Sequence, residues 1–158
     1  QMLKQTLWGE LDYLVIDLPP GTGDVQLSLS QLVPVTGAVL VTTPQDVALL
    51  DVRRAYTMFR KTHIPVLGII ENMSYYELPD GSRDYIFGQG GADKFAETEK
   101  IAVLGHIPIT TRLRESGDGG KPIVIADADS ASAQELRKAA RALAGYISVQ
   151  NMMTLPVL

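Results

Sequence analysis

Val15-Ile16-Asp17-Leu18-Pro19-Pro20-Gly21-Thr22-Gly23-Asp24 is the stretch whose reading decides the fold. An apolar, β-branched run ends on a carboxylate and passes straight into a rigid, glycine-rich turn. Together with Tyr13 and Leu14 the run lacks polar alternation, as a strand covered on both faces of a parallel sheet does. In such sheets ligands sit in the crevice beyond the carboxyl ends of the strands. A carboxylate there can hold Mg2+, directly or through water. The glycines let backbone N–H groups come close to a terminal phosphate. The same residues also suit a plain strand-to-helix turn with Asp17 as a polar cap, and this stretch alone does not separate the two.

Outward from it the pattern repeats. Ala38-Val39-Leu40-Val41, Val66-Leu67-Gly68-Ile69-Ile70 and the weaker Ile101-Ala102-Val103-Leu104-Gly105 are further short apolar runs. Helical spacing lies between and after them. Ala48, Val52, Ala55 and Phe59 make one stripe, with Asp46 placed to cap its start and Pro65 beyond its end. Val25, Leu29 and Leu32 mark a shorter helix behind Asp24. Leu136, Ala140, Leu143 and Ile147 line a long C-terminal helix, with Ser132 and Glu135 at the spacing of a capping box. Strand and helix in alternation predict an α/β, doubly wound, mostly parallel sheet flanked by helices, in a single domain over residues 1–158.

The 158 residues suffice for one core. Apolar residues make up 46% of the chain, but runs such as Gly37–Val41 and Pro65–Ile70 are far short of the roughly 20 residues a bilayer span needs. A net charge of −4 without a cluster of Lys and Arg argues against nucleic acid as a partner. The alanine-rich last helix lacks the bulky apolar face of a membrane anchor. With no signal sequence evident and no cysteine, the chain is expected to be soluble and cytoplasmic.

From Asn72 to Gly91 no helical period persists. Pro79-Asp80-Gly81 is a turn signal between Tyr75-Tyr76 and Tyr85-Ile86-Phe87, which predicts a small hairpin. His63 and His106 have no second His or Cys near them in sequence and read as structural.

The series Asp17 to Asp24, Thr43-Pro44-Gln45-Asp46-Val47-Ala48, Glu71-Asn72-Met73-Ser74, Ile86-Phe87-Gly88 with Gly90-Gly91, and Ile107-Pro108 resembles, in order, the Mrp/ApbC family of P-loop ATPases. These are relatives of the MinD, ParA and nitrogenase iron-protein group, and the resemblance runs from Leu11 to about Ala144. It implies an ATP- and Mg2+-dependent ATPase that carries or assembles iron–sulfur clusters. Asp17 would be the carboxylate that holds Mg2+ through water, and Gly21 the switch glycine whose N–H senses the γ-phosphate. Asn72 would hydrogen-bond the adenine, for which a paired carbonyl and amide are suited. Pro108 would open the second base-contacting loop. Thr110 stands where relatives often carry an acidic residue. Without the family pattern, Asn72 reads as an ordinary turn residue.

Two elements of the family pattern are absent. The one Gly-Lys pair, Gly120-Lys121, is followed by Pro122 and reads as a turn before a strand rather than a phosphate cradle. The resemblance places the P-loop, its lysine and the switch I aspartate upstream of Gln1. The chain is therefore expected to be the C-terminal portion of a longer ATPase, inactive by itself. If a central strand is also upstream, open sheet edges should make the chain self-associate or hold its N-terminal half. Second, many relatives place a Cys-x-x-Cys where this chain has Leu78-Pro79-Asp80-Gly81, so a thiolate-held [4Fe–4S] bridge between subunits cannot form here. The resemblance implies a homodimer, with iron–sulfur recipient or scaffold proteins as partners. Two rival readings remain: a MinD/ParA-like partitioning or positioning ATPase, and a non-enzymatic module that docks a partner through its tyrosine-rich loop.

Overall fold

The computed structural model of the chain describes residues 5–19, 28–29 and 32–153. Three of the apolar runs form a parallel sheet: β1 (Ala38–Thr42), β2 (Val66–Glu71) and, after a two-stranded hairpin, β5 (Val103–His106), in the order β1-β2-β5. The hairpin pairs β3 (Tyr76–Glu77) with β4 (Arg83–Asp84). The helices are α1 (Asp46–Lys61), α2 (Gly91–Glu99), α3 (Thr111–Asp118), α4 (Ile123–Ala126) and α5 (Ala131–Met153). Helices α1 and α2 pack on each other and on the sheet, and α5 packs on β5 and β2.

Register explains why the strand ends line up. Thr42 pairs with Glu71, and Glu71 pairs with His106, so the three strands finish level at one rim of the sheet. Behind the rim sits the core: Leu40, Val52, Tyr56, Phe59, Ile69 and Phe95 are buried together. Tyr56 and Phe95 meet edge-on, with centroids 5.6 Å apart, and this aromatic contact locks α1 to α2. The stripe foreseen on α1 is present, with Val52 and Phe59 buried and Ala48 and Ala55 half-buried.

Several expectations need correction. Tyr13–Ile16 is not a strand: it has no regular structure, and Tyr13 and Val15 are 52% and 85% exposed. A strand exists through its ladder and its packing, and among the described residues nothing pairs with this run. The fourth run forms its strand two residues later than its first apolar residue, at Val103–His106. Asp46 is the first helical residue of α1 rather than its cap; Gln45 holds the cap position without a side-chain hydrogen bond. Asp46 still places a carboxylate at the positive end of the helix dipole.

At α5 the capping serine is Ser130, whose Oγ accepts from Ala133 N at 3.3 Å. Ser132 is instead fully buried and hydrogen-bonded to Thr110 Oγ1 at 3.1 Å. Ala140 is exposed, and its neighbour Ala139 takes the buried place, facing Gly105 of β5. Gly120-Lys121 leads into the short helix α4, not a strand. The hairpin forms, but its return strand is Arg83–Asp84 rather than Tyr85–Phe87, because the turn closes early. Leu78 N donates to Ser82 O at 2.8 Å, and Asp80 Oδ1 accepts from Ser82 N and Oγ at 2.9 and 2.6 Å. Of the short helix expected behind Asp24, Ser28, Leu29 and Leu32 are helical, and Val25 lies outside the described residues.

Candidate functional site at the carboxyl ends of the strands

At the level rim of the sheet the backbone continues from strand into loop without losing its hydrogen bonds. Asn72 N donates to Thr42 O at 2.7 Å, and Ile107 N donates to Glu71 O at 2.8 Å. Ser74 N then donates to Ile107 O at 3.0 Å, and Ile109 N to Tyr75 O at 2.8 Å. The loops after β2 and β5 are therefore zipped side by side, which brings Asn72 and Pro108 onto one rigid ledge. Such paired backbone resists local opening better than a free loop does.

Asn72 is half-buried, and its side-chain amide makes no hydrogen bond to a described residue. A carboxamide offers two donors and a two-lone-pair acceptor, so it is free to pair with a ligand edge. Met73, next to it, adopts φ 54°, a left-handed conformation uncommon for a residue with a side chain. Pro108 is fully buried, so it shapes the second loop rather than presenting a surface. Thr110 caps α3 by accepting from Leu113 N at 3.1 Å, which commits its hydroxyl to the fold.

Asp17 lies exposed in the irregular segment, while the next residue, Leu18, packs against the core. Gly21 lies outside the described residues. The structure thus assembles the Asn72 and Pro108 loops and leaves Asp17 at the surface.

Beside this ledge lies a polar cluster that sequence reasoning missed. Glu71 is 1% exposed; its Oε1 accepts from Ser74 Oγ at 2.6 Å and its Oε2 from Ala92 N at 2.8 Å. Ala92 is in the first turn of α2, where unpaired N–H groups and the helix dipole favour a negative charge. The start of α2 also lies close against the loop before α1: a Cβ on Gly91 would sit 2.4 Å from Pro44 O. Asp93, one residue further, meets His106 Nε2 through Oδ2 at 3.1 Å. A glutamate closing the apolar run Val66–Ile70 was the available signal, since strand alternation puts it on the face of buried Ile69.

The family model for the ParA group, described as NUBPL iron-transfer P-loop NTPase, matches residues 1–144. The chain belongs to that family. Among its relatives, the iron-sulfur cluster carrier protein of Deinococcus radiodurans is 57% identical over 157 residues, covering 99% of this chain and 44% of the relative. The mouse iron-sulfur cluster transfer protein NUBPL is 49% identical over 135 residues, 85% of this chain and 42% of the relative. The chain therefore spans less than half the length of these curated relatives. Among solved structures, a nucleotide-binding protein from Archaeoglobus fulgidus, in complex with ADP and with cobalt found in it, has TM-score 0.66 and 45% identity. It covers 78% of this chain and 50% of its own. The match bears out the P-loop NTPase fold and the expected family. No helix among the described residues is long and apolar enough to cross a membrane.

Proposed function

We propose that this chain supplies the base-binding and switch side of a Mg-ATP site in an ATPase that carries iron–sulfur clusters. The observation that carries the reading is the zipped ledge with Asn72's amide unpaired among the described residues, in a chain of the iron-transfer NTPase family. On this reading Asn72 pairs with the adenine edge, and Pro108 sets the loop that lies over the base. Asp17 holds Mg2+ through water, and Gly21 reports the γ-phosphate. Residues 1–158 act as one continuous domain portion, and the phosphate cradle is contributed from outside the chain. The whole protein works as a cytoplasmic homodimer that hands clusters to recipient or scaffold proteins.

The residues fit the nucleotide unequally to the cluster. An unpaired, half-buried carboxamide beside a fixed backbone suits a purine. Bound Mg2+ would neutralise phosphate charge, and the exposed Asp17 carboxylate is an oxygen donor of the kind it takes. The donor set does not suit a thiolate-held cluster: the chain has no cysteine, and Leu78–Gly81 is the hairpin turn. Cluster cargo would have to be held by other ligands.

The test is ATP turnover by the full-length polypeptide that contains this chain. Asp17→Ala should abolish hydrolysis; unchanged turnover would remove Asp17 from the site. Binding to non-specific DNA or to liposomes, with no cluster transfer, would favour a partitioning or positioning role instead.

A further inference from the structure

Glu71, Asp93 and His106 come from three elements: the end of β2, the first turn of α2 and the end of β5. One ligand atom from each lies within 4.8 Å of the others. Donors bound to one ion at about 2.0–2.2 Å stand up to about 4 Å apart, so a small rotation of exposed side chains closes the set. We propose that these three residues form a site for a single first-row divalent cation of the Zn2+, Co2+ or Fe2+ kind. The site is independent of the nucleotide reading, since it uses neither Asp17 nor Asn72.

A second observation points to a cation. Glu71 is a buried carboxylate whose hydrogen-bond partners, Ser74 Oγ and Ala92 N, are both neutral. Among the described residues it has no ion pair with a Lys or Arg. A carboxylate taken out of water without a cation is costly; the dipole of α2 offsets part of that cost, and a bound metal ion would supply a full opposing charge. Each Glu71 oxygen keeps one lone pair after its hydrogen bond. Those two bonds also fix the carboxylate's orientation, as outer-shell partners of a metal ligand do.

The donor chemistry selects the metal class. One imidazole with two carboxylates suits Zn2+, Co2+ and Fe2+, whereas Mg2+ and Ca2+ prefer oxygen alone and Cu+ prefers sulfur. Access is open: the His106 and Asp93 side chains are 37% and 52% exposed, while Glu71 closes the floor. Three protein donors leave coordination positions for water, so the ion could enter and leave.

The experiment uses the untagged full-length polypeptide that contains this chain, stripped of metal by chelator and free of nucleotide. Co2+ is added and followed by its visible absorption bands, and Zn2+ by calorimetry. The expected result is one equivalent bound in the micromolar range, undisturbed by millimolar Mg2+. His106→Gln and Asp93→Asn, both at exposed side chains, should each weaken binding about tenfold or more with unchanged far-UV circular dichroism. Absence of stoichiometric binding, or equal binding by wild type and both variants, overturns the proposal.

Discussion

Ala92 donates its backbone N–H to Glu71 Oε2 at 2.8 Å, so the last residue of β2 and the first turn of α2 form one hydrogen-bonded unit. Ser74 Oγ completes the carboxylate from the other side. Glutamine keeps the shape, an acceptor for Ala92, and a donor toward a hydroxyl that can turn to accept. Glu71→Gln should therefore cost only the charge–dipole contribution, about 1 kcal/mol. Alanine leaves both donors unpaired and opens a void, so Glu71→Ala should cost about 3 kcal/mol or more. Urea unfolding of both variants measures the difference; equal losses would mean that the hydrogen bonds contribute little.

Two glycines make an internal control for packing against flexibility. A Cβ on Gly91 would lie 2.4 Å from Pro44 O and 2.9 Å from Leu49 Cδ1, and the first of these is backbone that must move. Gly91→Ala should lower stability by about 1–3 kcal/mol and loosen the join between α1 and α2. Gly117 lies within α3 with nothing within 4 Å of an added Cβ. Gly117→Ala should raise stability by about 0.5–1 kcal/mol through the unfolded chain's lost freedom. Thermal melts of the two variants should move in opposite directions.

Much of this architecture is legible in the sequence because it rests on local pattern. Ala38–Val41 and Val66–Ile70 are apolar on every residue, and both become strands of the parallel sheet. Tyr13–Ile16 has the same pattern and forms no strand, since a ladder depends on what lies beside the run, which the run itself does not encode. Ser132 and Glu135 have capping-box spacing, yet the helix starts so that Ser130 caps it and Ser132 turns into the core. The site divides the same way. Asn72 and Pro108 are visible as loop residues after strands. Glu71, Asp93 and His106 are separated in sequence, and only the register of β2 with β5 brings them together.

Tyr75 carries the pH-sensitive prediction. Burial pushes its phenol above the ordinary 10.0; the Arg83 guanidinium over the ring, at 3.9 Å, pulls the other way, and Glu135 and Glu77 add to the rise. A raised value in the fold means the native state holds this proton more tightly. The associated stability is present below pH 10.0 and is lost as pH rises through the folded value. Ultraviolet titration should show a late-ionising tyrosine component, and Tyr75→Phe should remove it. If the late component persists in the variant, burial at Tyr75 is not its cause.

Asn72 provides the sharpest test of the nucleotide reading. Its backbone N–H is already used by Thr42 O, so the position is fixed whatever the side chain is. Asn72→Ala should thus leave stability within about 0.5 kcal/mol of wild type, as expected where no native side-chain bond is lost. In the full-length polypeptide the same change should weaken ATP binding by about tenfold, the loss of one to two hydrogen bonds to a base edge. Binding of GTP should fall much less, because a site that pairs with adenine gains little from guanine. Competition between the two nucleotides, measured on wild type and variant, reads out the ratio directly. A ratio that does not change would place the base away from Asn72 and leave the ledge after β2 and β5 as a structural feature alone.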